Sequence, residues 1–551
     1  ELGYFFNDLP FAGRTPFPLL YFGVFDKALV FCHKSGMFNV PQAEKLFSKC
    51  PSLQDASSTR NMNFSISKES YSKTVNSIKE EIKKGSTYQV NFTGKIRFDF
   101  SGSPYLFYQS LKNSQRTSYS AFFKIKNRFV LSLSPELFLK RDRENILSRP
   151  MKGTIRRGKT VREDKDIQDS FAKDEKEKAE NLMIVDLIRN DLGKISRTGS
   201  VRVKDLFHIE KYDSLFQMTS TVCARLKPNV TYLDIFRSLF PSGSVTGAPK
   251  IKTMEIIRSL EKESRDIYCG AMGIIFPGKK AVFSIPIRTV SLENSKGFMG
   301  VGSGVVWDSS AEKEYQECFL KKSFMEKRQR DFDLIETMLW QEAYWLLNKH
   351  LERLKDSASY FQFPFDKKKV LAELKKVSKH LQKNEKYKVR LLLGKSGVLS
   401  LSATPLKDNT QKPCKMAVSS FQTDPDDMFF YHKTTKRDLY SSEHKKYQSK
   451  GYFDVVFFNK HGKLTEGAIS NIFLIKNKKW YTPSLTCGLL NGVCRQHVMK
   501  KIKVTEKELT RDDLLNCDEI VLTNSVRGIV RNVKLDTGCM MHDTGYKEDR
   551  N

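Results

Sequence analysis

One break governs what this chain can fold into. The stretch 326–331, EKRQRD, contains no apolar residue, and the hydrophobic pattern restarts at Phe332. A helix or strand crossing it would have no face to bury. The 551 residues therefore divide into two bodies, 1–330 and 331–551, each long enough for its own core. On both sides strand-like alternation is interleaved with helical periodicity, which makes each body α+β. In the first, the spacing predicts a helix over 68–84, with Tyr71, Val75, Ile78 and Ile82 on one face, Ser67 as N-cap and Gly85 as stop. Further helices are predicted at 174–190, 231–240, 249–262 and 310–328. Strands are predicted at 87–99, 119–126, 128–133 and 136–140, and short β-like runs at 19–25 and 28–32. In the second body the pattern predicts helices at 344–359 and 367–383, and strands at 387–393, 453–459, 469–475 and 518–523.

Charge invites a nucleic-acid reading, and its distribution then weighs against it. Lys and Arg number 94 against 63 acidic residues, a net charge of +31. The excess is spread over both bodies and is mostly Lys, 65 against 29 Arg. A binding stripe would be concentrated and rich in Arg forks, so nucleic acid is not an expected partner. No apolar run approaches the ~18 residues of a membrane span, so no membrane is expected either. The 10 cysteines form no C-x-x-C pair and read as isolated thiols of a reduced, cytoplasmic protein. The chain opens on Glu1, not Met, which reads as a fragment or a processed product.

Three features carry chemistry. Glu177/Glu180 and Glu314/Glu317 are two Glu-x-x-Glu pairs on predicted helices. Residues i and i+3 share a helix face, so each pair aims two carboxylates at one point. Four carboxylates meeting at one spot would need a hard cation, and Mg²⁺ fits oxygen ligands with room for water and a substrate carboxylate. Taken alone, either pair reads more simply as a solvated helix face. The string PSGSVTGAPK (241–250) is a Gly-rich turn opening a helix, where free N–H groups can meet an anion. It is not a Walker A loop, because Ile251 follows Lys250. The string GVGSGVV (300–306) reads as a close-packed strand turn.

In order along residues 1–330, the strings STYQVNFT, SPELF, RPMKGTIRRG, ENLMIVDLIRNDLG, PSGSVTGAPK, YCGAMG, IPIRT, GVGSGVVWDS and EYQECF resemble the chorismate-utilising enzymes. The resemblance implies a two-sheet α/β sandwich around the active site, with Glu177, Glu180, Glu314 and Glu317 holding Mg²⁺ against chorismate. Anthranilate-type members carry Ala where Lys152 stands, whereas the aminodeoxychorismate synthases carry Lys. In those it is a covalent nucleophile that attacks C2 and expels the C4 hydroxyl before ammonia displaces it. Placed beside cations and a metal, such a Lys is expected to have a lowered pKa. Glu136 matches the acid/base partner of that step. Arg288, Tyr268, Gly302, Gly304, Lys321 and the loop Thr246, Gly247 and Ala248 match substrate-binding positions. Many members carry His where Gln217 stands, and Gln cannot relay a proton. The family also has residues ahead of ELGYFFNDLP that supply sheet strands.

Residues 332–535 resemble the fold-type IV pyridoxal-phosphate enzymes through HLERL, HKTTKR, GKLTEGAISNIF, LLNGVCRQ and DEIVLTNSVRGIV. The resemblance implies that Lys433 anchors pyridoxal 5'-phosphate and that Glu466 pairs with the pyridinium nitrogen. It also implies that Arg353, Gly492, Val493, Cys494, Asn524 and Ser525 hold the phosphate. Cys494 stands where Thr is frequent. Thr337 and LNGVCRQ fit an aminodeoxychorismate lyase better than an aminotransferase, and the lyase would consume the product of the first body. The expectation is a bifunctional enzyme making 4-aminobenzoate for folate synthesis. Neither body shows a G-x-C-x-G elbow, so ammonia is expected from a separate glutamine amidotransferase subunit. Two alternatives stay open: an anthranilate synthase large subunit fused to a class IV aminotransferase, and a binding protein whose sites have decayed.

Overall fold

The computed structural model describes residues 6, 18–32, 35, 37–40, 57–115, 117–212, 215–326, 332–406 and 414–536. The chain forms two compact units. The first comprises Glu1–Arg156 and Gln168–Gln329, and the second comprises Arg157–Ile167 and Arg330–Asn551. Most of the charged break, 327–331, lies outside the described residues. One segment departs from a simple division at 330. Arg157–Ile167 packs with the second unit, where Val161 joins the core around Phe332 and the Arg157 side chain is buried.

The first unit holds two seven-stranded antiparallel sheets. In one, Gln89–Ser101 and Lys296–Val305 pair over ten residues, from Lys296 opposite Asp99 to Val305 opposite Val90. The string GVGSGVV therefore lies mostly within a strand and not at a turn. Gly247–Ala248 and Ser58–Phe64 also pair with Gln89–Ser101. In the other sheet, Leu215–Arg225 pairs with Arg202–Lys211, Asn145–Arg149 and Met151–Arg156.

Helix Lys68–Lys83 forms as its spacing predicts. The Ser67 side chain accepts a hydrogen bond from the Ser70 N–H, and Gly85 follows at φ 76°. Burying Tyr71, Val75 and Ile78 against the sheet contributes about 1.5–3 kcal/mol per side chain. Helix Glu175–Ile195, capped by Asp174, runs five residues past its predicted end because Leu192 and Ile195 continue the buried stripe of Ile184 and Ile188. The helix predicted over 310–328 is Ala311–Leu320 followed by a short turn Ser323–Glu326. It stops at Lys321, whose ammonium turns back to Glu317 and to the Gly302 carbonyl.

In the second unit, Leu334–Gln341, Tyr387–Leu393 and Leu399–Pro405 form an antiparallel sheet, over which helices Leu347–Phe361 and Lys367–Ser378 close a core. Tyr387, Val389, Leu391 and Leu393 alternate inward, the period-two pattern that predicts 387–393. The helix predicted from 344 begins at Leu347, because Ala343–Tyr344 pairs back onto Trp340–Gln341 and Leu346 is left-handed at φ 56°. Two further sheets follow, one centred on Asp454–Asn459 and one on Asn471–Lys476. Among the described residues no helix is long and apolar enough to cross a membrane.

Candidate active sites

In the first unit the strand Met151–Arg156 presents Lys152. Its Nζ lies 3.9 Å from Glu180 Oε2. Gly304, on the strand opposite Asn91, leaves room for that amine: a Cβ there would lie 2.6 Å from Lys152 Nζ and 2.4 Å from Gln89 Nε2. A Cβ on Gly153 would lie 2.7 Å from Glu177 Oε2, so the strand is seated against both residues of the first glutamate pair. Glu136 is buried and accepts hydrogen bonds from Ser244 Oγ at 2.6 Å and the Met151 N–H at 3.4 Å. Burial raises its carboxyl to about 7 against the pull of those bonds and of Lys152. A carboxyl poised there can hold or release a proton at neutral pH.

The surroundings of Lys152 differ in sign from the sequence reading. Its charge acts on Glu136, Glu177 and Glu317, and Glu180 is its ion-pair partner. These neighbours are carboxylates, where the sequence reading expected cations.

Burial and the charge of Glu180 raise Glu177 to about 7, and burial and Glu317 raise Glu314. Glu314 Oε1 also accepts from Ser309 Oγ at 2.9 Å. For Glu317, burial pushes up while the Lys321 ammonium at 2.6 Å pulls down, and the ion pair wins. Among the described residues, no three His, Cys, Asp or Glu side chains gather closely enough to hold a metal. The convergence of four carboxylates on one point is thus not present. What remains is two like-charged pairs whose mutual repulsion a hard cation would relieve, a donor chemistry that fits Mg²⁺.

The other first-unit positions surround the same strands. The Thr246 carbonyl accepts from the Asn91 N–H, and Gly247–Ala248 pairs with Gln89 and Val90. The turn is thus stitched to the strand beside Gly304 before helix Lys250–Leu260 begins. The Tyr268 ring packs on Gly300. Arg288 is partly buried and left-handed at φ 49°, and burial lowers its guanidinium to about 10. Gln217 has a buried Oε1 without a hydrogen-bond partner among the described residues.

In the second unit, Thr337, Arg353, Lys433, Glu466, Gly492, Val493, Cys494, Asn524 and Ser525 all line one cavity of about 1920 Å³. Lys433 is held against the strand Leu334–Gln341: its carbonyl accepts from the Ile335 N–H, and Thr434 bridges Leu334. Burial, Arg437 and Arg353 lower its amine to about 7. Glu466 is buried, accepts from the Leu490 N–H at 3.1 Å, Tyr440 Oη at 3.3 Å and Asn471 Nδ2 at 3.0 Å, and is raised by burial to about 7. Asn471 leaves no room for a side chain at Gly492, where a Cβ would lie 1.9 Å from its Oδ1. Gly492 is the N-cap of helix Val493–Lys501. Cys494 packs in the core with Phe473, Val498 and Val521, so an apolar contact stands where a Thr hydroxyl is frequent. The amine, the buried acid and the helix N-terminus match the amine, pyridinium and phosphate needs of pyridoxal phosphate.

One residue behind this site escaped the sequence reading. Glu336 is buried beside Thr337 and accepts from Arg353 Nε at 2.9 Å, Arg353 Nη2 at 2.7 Å and His350 Nδ1 at 2.6 Å. It thereby fixes the Arg353 fork. The signal was an acid inside the apolar run LIETMLW, paired with the i, i+3 spacing of His350 and Arg353.

Residues 1–327 match the family described as chorismate binding enzyme, and residues 333–534 match the family described as amino-transferase class IV. The chain is 34% identical over 331 residues to aminodeoxychorismate synthase component 1 of Escherichia coli strain K12, covering 58% of this chain and 73% of that protein. It is 36% identical over 268 residues to anthranilate synthase component 1 of Aquifex aeolicus strain VF5, covering 49% and 54%. The crystal structure of anthranilate synthase component I from Streptococcus pneumoniae TIGR4 superposes with a TM-score of 0.50 at 29% identity, covering 54% of this chain and 71% of that one. The chain belongs to the chorismate binding enzyme family and carries a class IV amino-transferase domain behind it.

Proposed function

We propose that the chain converts chorismate to 4-aminobenzoate in two steps, one in each unit. The observation that carries the first step is Lys152, seated against Gly304 and 3.9 Å from Glu180, with Glu136 poised near neutrality beside its strand. Lys152 Nζ bonds to C2 of chorismate as the C4 hydroxyl leaves, and Glu136 passes the amine's proton to the departing oxygen, releasing water. Ammonia then bonds to C4, the C2–N bond breaks, and Lys152 is regenerated. Two successive displacements place nitrogen at C4 and give 4-amino-4-deoxychorismate. Mg²⁺, when bound, would draw its ligands from the pairs Glu177/Glu180 and Glu314/Glu317, which do not converge on one point here, and would neutralise the substrate carboxylate. Arg288 and the Thr246–Ala248 loop suit the enolpyruvyl carboxylate. Anthranilate synthases are among the relatives, and Lys152 is what favours the aminodeoxychorismate reading over theirs.

In the second step Lys433 takes the proton from the carbon bearing the new amine. The enolpyruvyl group leaves and is released as pyruvate, and aromatisation makes the step downhill. Pyridoxal phosphate, when bound, supplies an electron sink for that carbon. Lys433 would anchor it, Glu466 would face its ring nitrogen, and Arg353 with the Gly492 and Asn524–Ser525 turns would take its phosphate. An amine held near 7 is a competent nucleophile and base at neutral pH. The lyase reading is preferred to an aminotransferase because it consumes the product of the first unit.

Ammonia would come from a separate glutamine amidotransferase subunit. The isolated thiols favour a reduced, cytoplasmic setting; the eight described cysteines are all free. The test is to incubate the chain with chorismate, Mg²⁺, ammonium and pyridoxal phosphate and identify the aromatic product by mass. 4-Aminobenzoate supports the proposal, and anthranilate refutes it.

A further inference from the structure

We infer that Arg157–Ile167 is a positioning element of the pyridoxal-phosphate site, although in sequence it lies between the strand of Lys152 and the helix of Glu177. The inference rests on the reading of Lys433 as the cofactor lysine. The segment packs with the second unit. Its anchor is Arg157, whose side chain is 1% exposed. Nε and Nη2 donate to the two Asp164 carboxylate oxygens at 2.9 and 2.7 Å, and Nη2 also donates to the Tyr360 carbonyl at 2.9 Å. The guanidinium lies 3.9 Å from the centre of the Tyr360 ring. Tyr360 returns the contact, its hydroxyl donating to the Gly158 carbonyl at 2.6 Å. Val161 adds an apolar contact to the core of Phe332, Phe361 and Phe363.

The segment reaches the site through His432, the residue before Lys433. His432 Nε2 lies 3.1 Å from the Lys159 carbonyl, and Nδ1 lies 3.0 Å from Ser357 Oγ. A carbonyl only accepts, so Nε2 carries the proton and Nδ1 accepts from the serine hydroxyl. Both ring nitrogens are thus engaged, one of them by the segment. The ring is further packed against Tyr360 at 4.3 Å and Phe361 at 4.9 Å. On its other side Lys433 is pinned through its own carbonyl by the Ile335 N–H. A lysine that must meet an aldehyde needs its backbone held, because an error of about 1 Å is felt strongly in such chemistry. Removing the segment's grip frees one of the two sides.

The test uses the full chain. Pyridoxal phosphate is titrated by absorbance into wild type, into Tyr360→Phe, which deletes one hydroxyl, and into Arg157→Met/Asp164→Leu, which removes the buried pair without leaving a lone charge. Hydrogen exchange is followed with and without the cofactor. Both variants are expected to bind the cofactor more weakly, the double variant by about tenfold, the scale of losing a supporting contact behind a ligand-holding residue. By reciprocity, cofactor binding to wild type should slow exchange of the 157–167 amides. Wild-type affinity in both variants, or no cofactor effect on exchange in 157–167, overturns the inference. A wild-type chain that takes up no cofactor overturns the Lys433 reading itself.

Discussion

Around Lys152 the charged neighbours are the carboxylates Glu136, Glu177, Glu180 and Glu317. Around Lys433 burial acts first, then Arg437 and Arg353, with Glu336 and Glu466 weaker behind them. The same side chain is therefore set in fields of opposite sign. The second site makes its own neutral amine, because desolvation and two guanidiniums disfavour the ammonium. The first site collects negative charge in two like-signed pairs, an arrangement whose repulsion a divalent cation would relieve. The two lysines thus stand in different electrostatic surroundings, and the difference can be tested by removing each in turn.

The largest effect is expected from Lys152→Ala. It should abolish 4-amino-4-deoxychorismate formation and leave at most slow direct amination at C2, giving anthranilate. Product identification by mass checks this, and aminodeoxychorismate at the wild-type rate would show that Lys152 is not the nucleophile. Next come Glu180→Gln and Glu317→Gln, each removing a full negative charge from the acidic side of the comparison. Each should raise the Mg²⁺ concentration needed for half-maximal chorismate turnover by at least about tenfold, while turnover of supplied aminodeoxychorismate stays at the wild-type level. An unchanged Mg²⁺ requirement in both variants removes these residues from the metal site.

Lys433 sharpens the other side. With its amine near 7, the rate at which the cofactor-free chain captures pyridoxal phosphate should rise about tenfold between pH 6 and pH 8 and then level off, as the neutral fraction saturates. An amine at the ordinary lysine value of 10.5 would keep gaining rate beyond pH 9. Stopped-flow absorbance distinguishes the two. The smallest effect is a control outside both sites. Ser67→Ala removes the cap of helix Lys68–Lys83 and should cost about 1 kcal/mol in denaturant unfolding of the first unit. Cofactor binding should not change.

What the sequence made legible follows the same division between local and distant causes. Local patterns sufficed for helix Lys68–Lys83 and strand Tyr387–Leu393, where capping residue, stop and periodicity all lie within the element. They failed at 310–328, where the helix ends at Leu320 and the Lys321 ammonium reaches a carbonyl nineteen positions away. They failed again at Arg157–Ile167, since nothing in the segment's own periodicity says which body will bury Arg157. The nine second-unit residues that the resemblance implies all line one cavity. It did not supply Glu336, which acts only through Arg353 and His350. In the first unit the resemblance named Lys152, Glu136 and the glutamates, but it did not give the field they make on one another. The sign of that field depends on which side chains pack together across two strands and two helices.

The most direct measurement follows both reactions in one chain. Purified Lys433→Ala is given chorismate, Mg²⁺, ammonium and pyridoxal phosphate, and products are separated by mass over time. The roles assigned to the two lysines predict that 4-amino-4-deoxychorismate accumulates at the wild-type rate while 4-aminobenzoate falls by on the order of 10³-fold. Full 4-aminobenzoate output from that variant, or failure to accumulate aminodeoxychorismate, would contradict the assignment of one reaction to each lysine.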